Sequence, residues 1–293
     1  MFTVNQGKIK NFLTVDVEEY FHVSAFRGFI SRDTWDQFES RVVPNTRKLL
    51  EIFEESGGVK GTFFILGWVA ERNRDLVKEI ASQGHEIASH SYAHRCIFEM
   101  TADEFREDLK RGKDILEDIT GQRVVGFRAP SFSITRDTLW VYEILGELGF
   151  KYDSSVFPIV HDLYGIPGAP RFVYKVGNSD LMEYPMSTAP FLGCNLPVSG
   201  GGYFRIFPYW LIKYGATHIN RKEGRPYMFY IHPWEVDPGQ PRFRQAKLTS
   251  RLRHYTNLKK TEGRLKRLLR DFSFYPVRDS LLHPASAGEG THP

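Results

Sequence analysis

The chain has 293 residues, a formal net charge of +4 and 41% apolar residues, enough to bury a large core in one barrel-sized domain. Its two cysteines, Cys96 and Cys194, exclude a disulfide-rich scaffold, and we expect reduced thiols. Residues 1–11 show no secretory signal, and no apolar run approaches the roughly 20 residues that cross a bilayer. We therefore expect a cytoplasmic protein without a transmembrane segment.

Short apolar strands alternate with helical segments along the chain. Strands are predicted at residues 12–15, 61–66, 86–89, 124–127 and 227–231, with a further short strand leading to 152–153. Helices are predicted at about residues 44–55, 74–83, 101–118 and 138–148, the third opened by a capping box of Thr101 and Glu104. This order predicts parallel strands in a barrel-like α/β fold, whose active sites form at the carboxyl ends of the strands.

Three segments differ from this pattern. Residues 157–225 are rich in proline and glycine and are predicted to be a long insertion that caps the barrel mouth. Residues 242–272 are helical and basic, which suits anionic lipid, a polyanionic glycan or nucleic acid, although a solvated helix face is commoner. The apolar residues Leu265, Leu268, Leu269 and Phe272 indicate a helix packed on the barrel, with a membrane contact as the alternative. We expect one domain over residues 1–283 and a disordered tail at 284–293.

The residues with the clearest chemistry are two histidines and two carboxylates. His90 and His94 are four apart, so on a helical turn both imidazoles can reach one ion. Asp16 and Glu18 are two apart on a strand and share a face, while Glu19 points away. One carboxylate completes a two-histidine, one-acid site with open positions, and the second can act as a base. This combination predicts a metal-dependent hydrolase.

Five motifs resemble, in order, those of the polysaccharide deacetylases of carbohydrate esterase family 4, the group that contains the NodB chitooligosaccharide deacetylases. They are Thr14–Glu18, His90–His94, Arg128–Phe132, Tyr152–Ser155 and Tyr230–His232. The chain is most similar to a branch found in bacterial exopolysaccharide and exosortase gene clusters, whose members carry His-Pro-Trp-Glu near the end. The resemblance implies a distorted (β/α)7-8 barrel of the NodB deacetylase type with a long loop insertion.

The resemblance also implies a reaction and a metal. The enzyme would remove N-acetyl groups from amino sugars of a polysaccharide or of its lipid-linked biosynthetic intermediate. The family's first motif has adjacent aspartates, but Val17 occupies the second position here, so the ligand role shifts to Glu18, with Glu19 as a rival. Glu18, His90 and His94 would hold a divalent ion. Zinc is the default, and cobalt, nickel or manganese are alternatives.

Four residues receive catalytic roles from the resemblance. Asp16 would be the general base, held by a bidentate contact from Arg128. His232 would protonate the leaving nitrogen, which an amide requires. Asp153 would either orient His232 through a ring N–H or cap a turn with the two serines that follow it.

Substrate contacts are expected from the loops around the barrel mouth. Backbone N–H groups near Ser131 and Phe132 would stabilise the oxyanion. Phe132 and Tyr203 would stack on sugar rings, and Trp234 would form one wall of the acetyl pocket. We expect an N-acetylated glycan as partner, no nucleic acid, and peripheral contact with the inner membrane face through the basic C-terminal region. The alternatives are a small-molecule amidohydrolase of the same fold and a catalytically silent carbohydrate-binding protein.

Overall fold

The protein is described by a computed structural model that covers residues 9–161 and 164–282. The tail predicted at 284–293 lies outside the described residues. The strands are β1 (Lys10–Val17), β2 (Thr62–Ile65), β3 (Glu86–Ser89), β4 (Gly126–Phe127), β5 (Tyr152–Asp153), β6 (Tyr174–Lys175), β7 (Met182–Glu183), β8 (Thr188–Phe191), β9 (Cys194–Pro197), β10 (Met228–Ile231) and β11 (Ser273–Tyr275). The helices are α1 (Val42–Glu55), α2 (Gly67–Arg72), α3 (Arg74–Ser82), α4 (Ala102–Thr120), α5 (Val141–Glu147), α6 (Gly201–Ile206), α7 (Tyr209–Arg221), α8 (Leu248–Tyr255), α9 (Leu258–Asp271) and α10 (Val277–Leu282).

Seven parallel strands form a curled half-barrel in the order β10-β1-β2-β3-β4-β5-β7. Strand β6 is antiparallel at one edge, and β11 pairs with the start of β1. Strands β8 and β9 form a separate antiparallel hairpin. The predicted barrel-like α/β fold is therefore confirmed.

Side-chain alternation along β1 determines which of its side chains face the barrel interior. Leu13, Val15 and Val17 belong to the large core under the helices, whereas Phe12 belongs to the second core cluster, which fills the barrel interior. Asp16 shares the face of Phe12, since residues two apart on a strand point the same way. Asp16 therefore places its carboxylate in the barrel interior, at the C-terminal end of β1.

Most predicted elements are present, and the capping box is confirmed. Thr101 Oγ1 accepts from the Glu104 N–H at 3.3 Å, and Glu104 Oε2 accepts from the Thr101 N–H at 2.8 Å. Helix α2 was not predicted. The described residues of the segment 157–225 hold four short strands and two helices, more structure than predicted, because strands of two to four residues are too short to leave a clear periodic pattern in the sequence.

The C-terminal part closes the sheet around β1. Strands β10 and β11 both pair with β1, and in α9 the side chains of Leu265, Leu268 and Leu269 are buried in the main core. This burial supports packing and excludes a membrane contact for that face. The single-domain boundary stays a prediction. Among the described residues, no helix is both long and apolar enough to cross a membrane.

Helix α4 packs closely against the loop that follows β3. A Cβ atom at Gly112 would lie 2.8 Å from the Ser91 carbonyl oxygen and 3.2 Å from the Tyr92 nitrogen. Only glycine at this position lets the helix approach the loop backbone so closely. By contrast, a Cβ atom at Gly146, in α5, would meet no atom within 4 Å.

We predict opposite effects for alanine at these two helical glycines. Gly112→Ala should lower the free energy of unfolding by about 1–3 kcal/mol because the added methyl overpacks the contact. Gly146→Ala should raise it by about 0.5–1 kcal/mol because alanine loses less backbone entropy on folding. Urea denaturation of both variants checks this, and equal effects would contradict the packing described here.

Candidate active site

Except for Arg128 and Asp153, the side chains predicted to be functional line one cavity at the carboxyl ends of the parallel strands. The cavity has a volume of about 240 Å³. Strand β1 supplies Asp16 and leads to Glu18, β3 leads to His90, and β10 leads to His232. Arg128 follows β4 and lies fully buried behind them.

Glu18, His90 and His94 form a compact set of candidate metal ligands. One ligand atom from each lies within 4.8 Å of the others, and all three side chains are buried. The His90 Nδ1–H donates to the Arg128 carbonyl at 2.8 Å, which leaves Nε2 with a free lone pair.

The surroundings of Glu18 fit a divalent cation. Its Oε2 lies 2.5 Å from His94 Nε2, but this contact does not have hydrogen-bond geometry, so the buried oxygen has no hydrogen-bond donor among the described residues. Its Oε1 accepts from the Trp234 indole N–H at 3.4 Å. A buried carboxylate oxygen without a donor is costly unless a cation neutralises it, and two imidazoles with one carboxylate suit zinc.

The pKa values in this cluster favour deprotonated ligands. Burial alone would raise the pKa of Glu18, but interactions with His94, then with His232 and His90, hold it below its usual value. Burial lowers the pKa of His90 to about 4, outweighing the attraction of Asp16. A metal binds the neutral imidazole and the charged carboxylate, so both shifts suit ion binding.

The His90–His94 segment is a loop, so the predicted helical turn is wrong. Ser91 and His94 have left-handed backbones, with φ of 64° and 49°. The Asp108 carboxylate, on α4, accepts from the N–H groups of Tyr92 at 2.8 Å and Ala93 at 3.0 Å. These tertiary bonds replace helical ones and still bring both imidazoles to one place.

Glu19 points away from this cluster and stabilises the start of α1. Its Oε1 accepts from the Ser40 hydroxyl at 2.5 Å and from the N–H groups of Arg41 at 3.0 Å and Val42 at 3.1 Å. A carboxylate at a helix N-terminus is favourable. The geometry therefore favours Glu18 over Glu19 as the ligand.

Arg128 fixes Asp16 by a single hydrogen bond rather than the predicted bidentate contact. Its Nη1 donates to Asp16 Oδ1 at 2.6 Å and to Thr14 Oγ1 at 2.8 Å. Its Nε and Nη2 donate to the carbonyl and hydroxyl oxygens of Ser154, both at 2.9 Å. The guanidinium is fully hydrogen-bonded to two strand ends, and Asp16 Oδ2 remains directed to the cavity, 3.9 Å from His232 Nε2.

The carboxylate that orients His232 is Glu235, so the first of the two alternatives predicted for Asp153, orientation of His232, is wrong. His232 Nδ1 lies 2.7 Å from Glu235 Oε1, and its Nε2 faces Glu18 Oε1 at 3.4 Å. Buried Arg205 donates from Nε to Glu235 Oε2 at 2.6 Å. Burial would lower the pKa of His232, but the bond to Glu235 and the charges of Glu18 and Asp16 raise it to about 9. The sequence signal was the three-residue spacing in His232-Pro233-Trp234-Glu235.

Asp153 instead forms a buried carboxyl pair with Glu183, its register partner on β7. Asp153 Oδ1 accepts from the Ser155 hydroxyl at 2.5 Å, which matches the alternative of a capped turn. Burial and the charge of Asp153 raise the pKa of Glu183 well above its usual value. A proton kept on Glu183 would supply the donor that Asp153 Oδ2 otherwise lacks among the described residues.

Aromatic and small side chains line the rest of the cavity, including the four predicted substrate contacts Ser131, Phe132, Tyr203 and Trp234. The Trp234 ring stacks on His232 at 4.9 Å. Ser131 and Phe132 have left-handed backbones, with φ of 57° and 54°. The Phe132 N–H already bonds the Ala129 carbonyl at 3.0 Å, so it is not free to bind an oxyanion.

The glycine run at residues 200–202 brings α6 against β10. A Cβ atom at Gly200 would lie 1.9 Å from the Tyr230 carbonyl oxygen, and the two residues form a parallel bridge. This approach sets Tyr203 and Arg205 beside the end of β10. The run is therefore a close backbone contact between α6 and β10.

We predict that alanine at Glu18 weakens metal binding, whereas alanine at Glu19 lowers stability. Glu18→Ala should weaken zinc or cobalt binding to metal-stripped protein by at least about 100-fold, since it removes a direct ligand. Glu19→Ala should leave metal affinity unchanged and lower the free energy of unfolding by about 1–3 kcal/mol, because buried donors at α1 lose their acceptor. Titration calorimetry with urea denaturation checks both, and loss of metal binding in Glu19→Ala alone would contradict the assignment.

The carboxyl pair predicts a pH-dependent stability. Glu183 keeps a proton in the folded state that the unfolded chain releases above about pH 4.5, so stability should fall as pH rises through that value towards the raised folded pKa. Within this window the free energy of unfolding should fall by at most about 1.4 kcal/mol per pH unit. Glu183→Gln keeps a donor without the proton.

The stability of Glu183→Gln relative to the wild type should therefore increase as the pH rises from about 5 to about 8. Denaturation at both pH values checks this, with exposed Glu107→Gln as the control. A constant difference between Glu183→Gln and the wild type would contradict a shared proton.

Comparison with known proteins identifies two adjoining regions. Residues 33–152 match the family described as "Polysaccharide deacetylase", and residues 154–282 match the family described as "Domain of unknown function (DUF3473)". Asp16, Glu18 and His232 fall outside the first match. The cavity therefore combines residues from both regions and from the strand before them.

Relatives agree with the first match. The chain is 36% identical over 110 residues to a peptidoglycan deacetylase-like protein of Gibberella zeae, covering 37% of this chain and 32% of that protein. It is 34% identical over 99 residues to a peptidoglycan-N-acetylglucosamine deacetylase of Bacillus cereus, covering 33% of this chain and 36% of that protein. The matched part is thus about a third of each relative's length.

A solved structure extends the fold comparison to the whole chain. A crystal structure of a candidate polysaccharide deacetylase from Mycobacterium smegmatis aligns with a TM-score of 0.61 and 21% identity, covering 100% of this chain and 97% of that one. This likeness establishes the fold. The family match over residues 33–152 and the relatives show that this chain contains a polysaccharide deacetylase domain of the NodB, carbohydrate esterase 4 type.

Proposed function

We propose that this protein is a metal-dependent hydrolase that removes N-acetyl groups from amino sugars of an exopolysaccharide or of its lipid-linked intermediate. One observation carries the proposal: a candidate base and a candidate acid flank a two-histidine, one-carboxylate set inside one aromatic-lined cavity. A protein that only binds sugar needs neither a base nor an acid in that arrangement. The names of the relatives support the same reaction class.

We propose Glu18, His90 and His94 as the residues that hold the ion, with zinc as the ion that this donor set suits. When bound, a divalent ion supplies Lewis-acid activation of water and of the acetyl carbonyl. The chain's own contribution is to hold the ligands in place. The Trp234 indole N–H donates to Glu18, and the Arg128 carbonyl fixes the ring of His90.

Asp16 and His232 are suited to opposite proton transfers. Arg128 occupies Asp16 Oδ1, which leaves Oδ2 to accept a proton from water. His232, with a pKa raised to about 9, keeps its proton at neutral pH and can deliver it from Nε2 to the amide nitrogen. Glu235 holds the opposite ring nitrogen, and Arg205 holds Glu235. An amine then leaves in place of a far more basic amide anion.

The aromatic lining supports a carbohydrate substrate. Phe132, Tyr203, Tyr230 and Trp234 line the cavity beside the candidate ligands. Flat apolar rings with polar edges suit the faces of pyranose rings, and polar groups between them fix orientation. We propose an N-acetylglucosamine-containing glycan as the substrate class.

The test is acetate release from N-acetylglucosamine oligomers and peptidoglycan fragments by metal-stripped protein, with and without added zinc or cobalt. We expect release only with metal and a loss of about 100-fold or more in Asp16→Asn. Glu235→Gln should lower turnover by about 10- to 100-fold with unchanged zinc affinity, since it acts through His232. Glu183→Gln, outside the reacting groups, is the matched control.

Release without metal, or full activity of Asp16→Asn, would contradict the proposed mechanism. Absence of release from every acetylated glycan, by folded and metal-loaded protein, would contradict the proposed function.

A further inference from the structure

The segment between Asp237 and Glu262 carries positive charge that the protein does not neutralise. It contains no acidic residue and seven cations: Arg242, Arg244, Lys247, Arg251, Arg253, Lys259 and Lys260. Across residues 9–161 and 164–282, no carboxylate lies within ion-pair distance of any of these seven. Neighbouring Lys266, by contrast, pairs with Glu262 and Glu55. The charge is therefore available to an external anion.

Helix α8 within this segment presents two leucines to solvent. Leu248 and Leu252 are 66% and 58% exposed, and they share one face because they are four residues apart. Neither belongs to the apolar core of the described chain. Two neighbouring exposed leucines between cations are a typical feature of an interaction surface.

The opposite face of α8 is anchored to the candidate active site. The ring of His254 is buried against Trp234, with centroids 4.3 Å apart, and its Nε2 lies 2.7 Å from Gln240 Oε1. The exposed leucines therefore sit on a helix whose inner face is fixed. They do not belong to a loose segment that could fold back into the core.

Helix α8, which carries the exposed leucines, borders the active-site cavity. Ser250 and Arg253, on the same helix, line the cavity, and so does Ile206 from α6, whose side chain is 45% exposed. Leu248, Leu252, Lys247 and Arg251 form what we call the rim surface. It joins apolar and cationic groups on a helix that borders the cavity.

We propose that the rim surface docks on an anionic lipid bilayer. A bilayer interface offers an apolar layer for the leucines and anionic headgroups for the cations. A soluble polyanionic glycan would satisfy the cations but leave Leu248 and Leu252 in water. Docking would hold the active site near the bilayer, where a lipid-linked glycan would lie. That consequence rests on the proposed function, whereas docking itself does not.

Co-sedimentation with vesicles tests the docking. Full-length protein should bind mixed phosphatidylcholine–phosphatidylglycerol vesicles at least about tenfold more strongly than pure phosphatidylcholine vesicles, and added salt should weaken binding. The double variant Leu248→Ser/Leu252→Ser should lose at least about tenfold in partitioning. Lys247→Glu/Arg251→Glu should lose the preference for anionic lipid.

Two control variants keep the test specific. Leu139→Ser changes an exposed leucine, 38% exposed, outside the rim surface. Lys78→Glu/Arg123→Glu gives the same net charge as Lys247→Glu/Arg251→Glu, at exposed cations for which no ion pair exists among the described residues. Both controls should bind vesicles like the wild type. Circular dichroism verifies that every variant is folded.

Equal binding by Leu248→Ser/Leu252→Ser and the wild type would overturn the proposal, as would absence of wild-type binding to either vesicle. Binding of dextran sulfate without vesicle binding would assign the surface to a polyanion and also overturn it. Asp16→Asn should bind vesicles like the wild type. Failure of the docking and failure of the deacetylase function are thus seen in separate measurements.

Discussion

The buried guanidinium of Arg128 is the interaction on which the site depends. The guanidinium nitrogens bind Asp16 and Thr14 from β1 and both oxygens of Ser154 after β5. The backbone carbonyl of Arg128 fixes the ring of His90. A buried charge is tolerated only when it is paired and fully hydrogen-bonded, and breaking such a pair costs about 3–5 kcal/mol. The base, one candidate ligand and two strand ends are therefore coupled through one residue.

A second buried ion pair, between Arg205 and Glu235, positions the candidate acid. Arg205 and Glu235 hold His232, and all three lie in the region that matches the domain of unknown function. The region matched as polysaccharide deacetylase contributes His90, His94 and Arg128. Base, ligands and acid therefore meet only where the two matched regions and β1 share one sheet. This explains why the C-terminal part packs on β1 rather than forming a separate lobe.

The sequence was sufficient where local patterns determine structure and insufficient where tertiary contacts do. Alternation along β1 predicted that Asp16 and Glu18 share a face, and the capping box predicted the start of α4. The loop at His90–His94 could not be predicted, because its left-handed residues depend on Asp108, distant in the chain. Glu235 was not predicted although it is three residues from His232, because spacing alone does not show which carboxylate lies beside the imidazole. Burial of Asp153 beside Glu183 could not be seen without the pairing of β5 and β7.

We propose that Glu18, His90 and His94 bind one ion beside Asp16 and His232. Anomalous diffraction from crystals soaked in cobalt or zinc would locate that ion. We expect one strong peak, about 2.0–2.2 Å from a carboxylate oxygen of Glu18 and from an imidazole nitrogen of each histidine. A peak at other residues, or no peak at these three in crystals that bind the ion elsewhere, would contradict this ligand set.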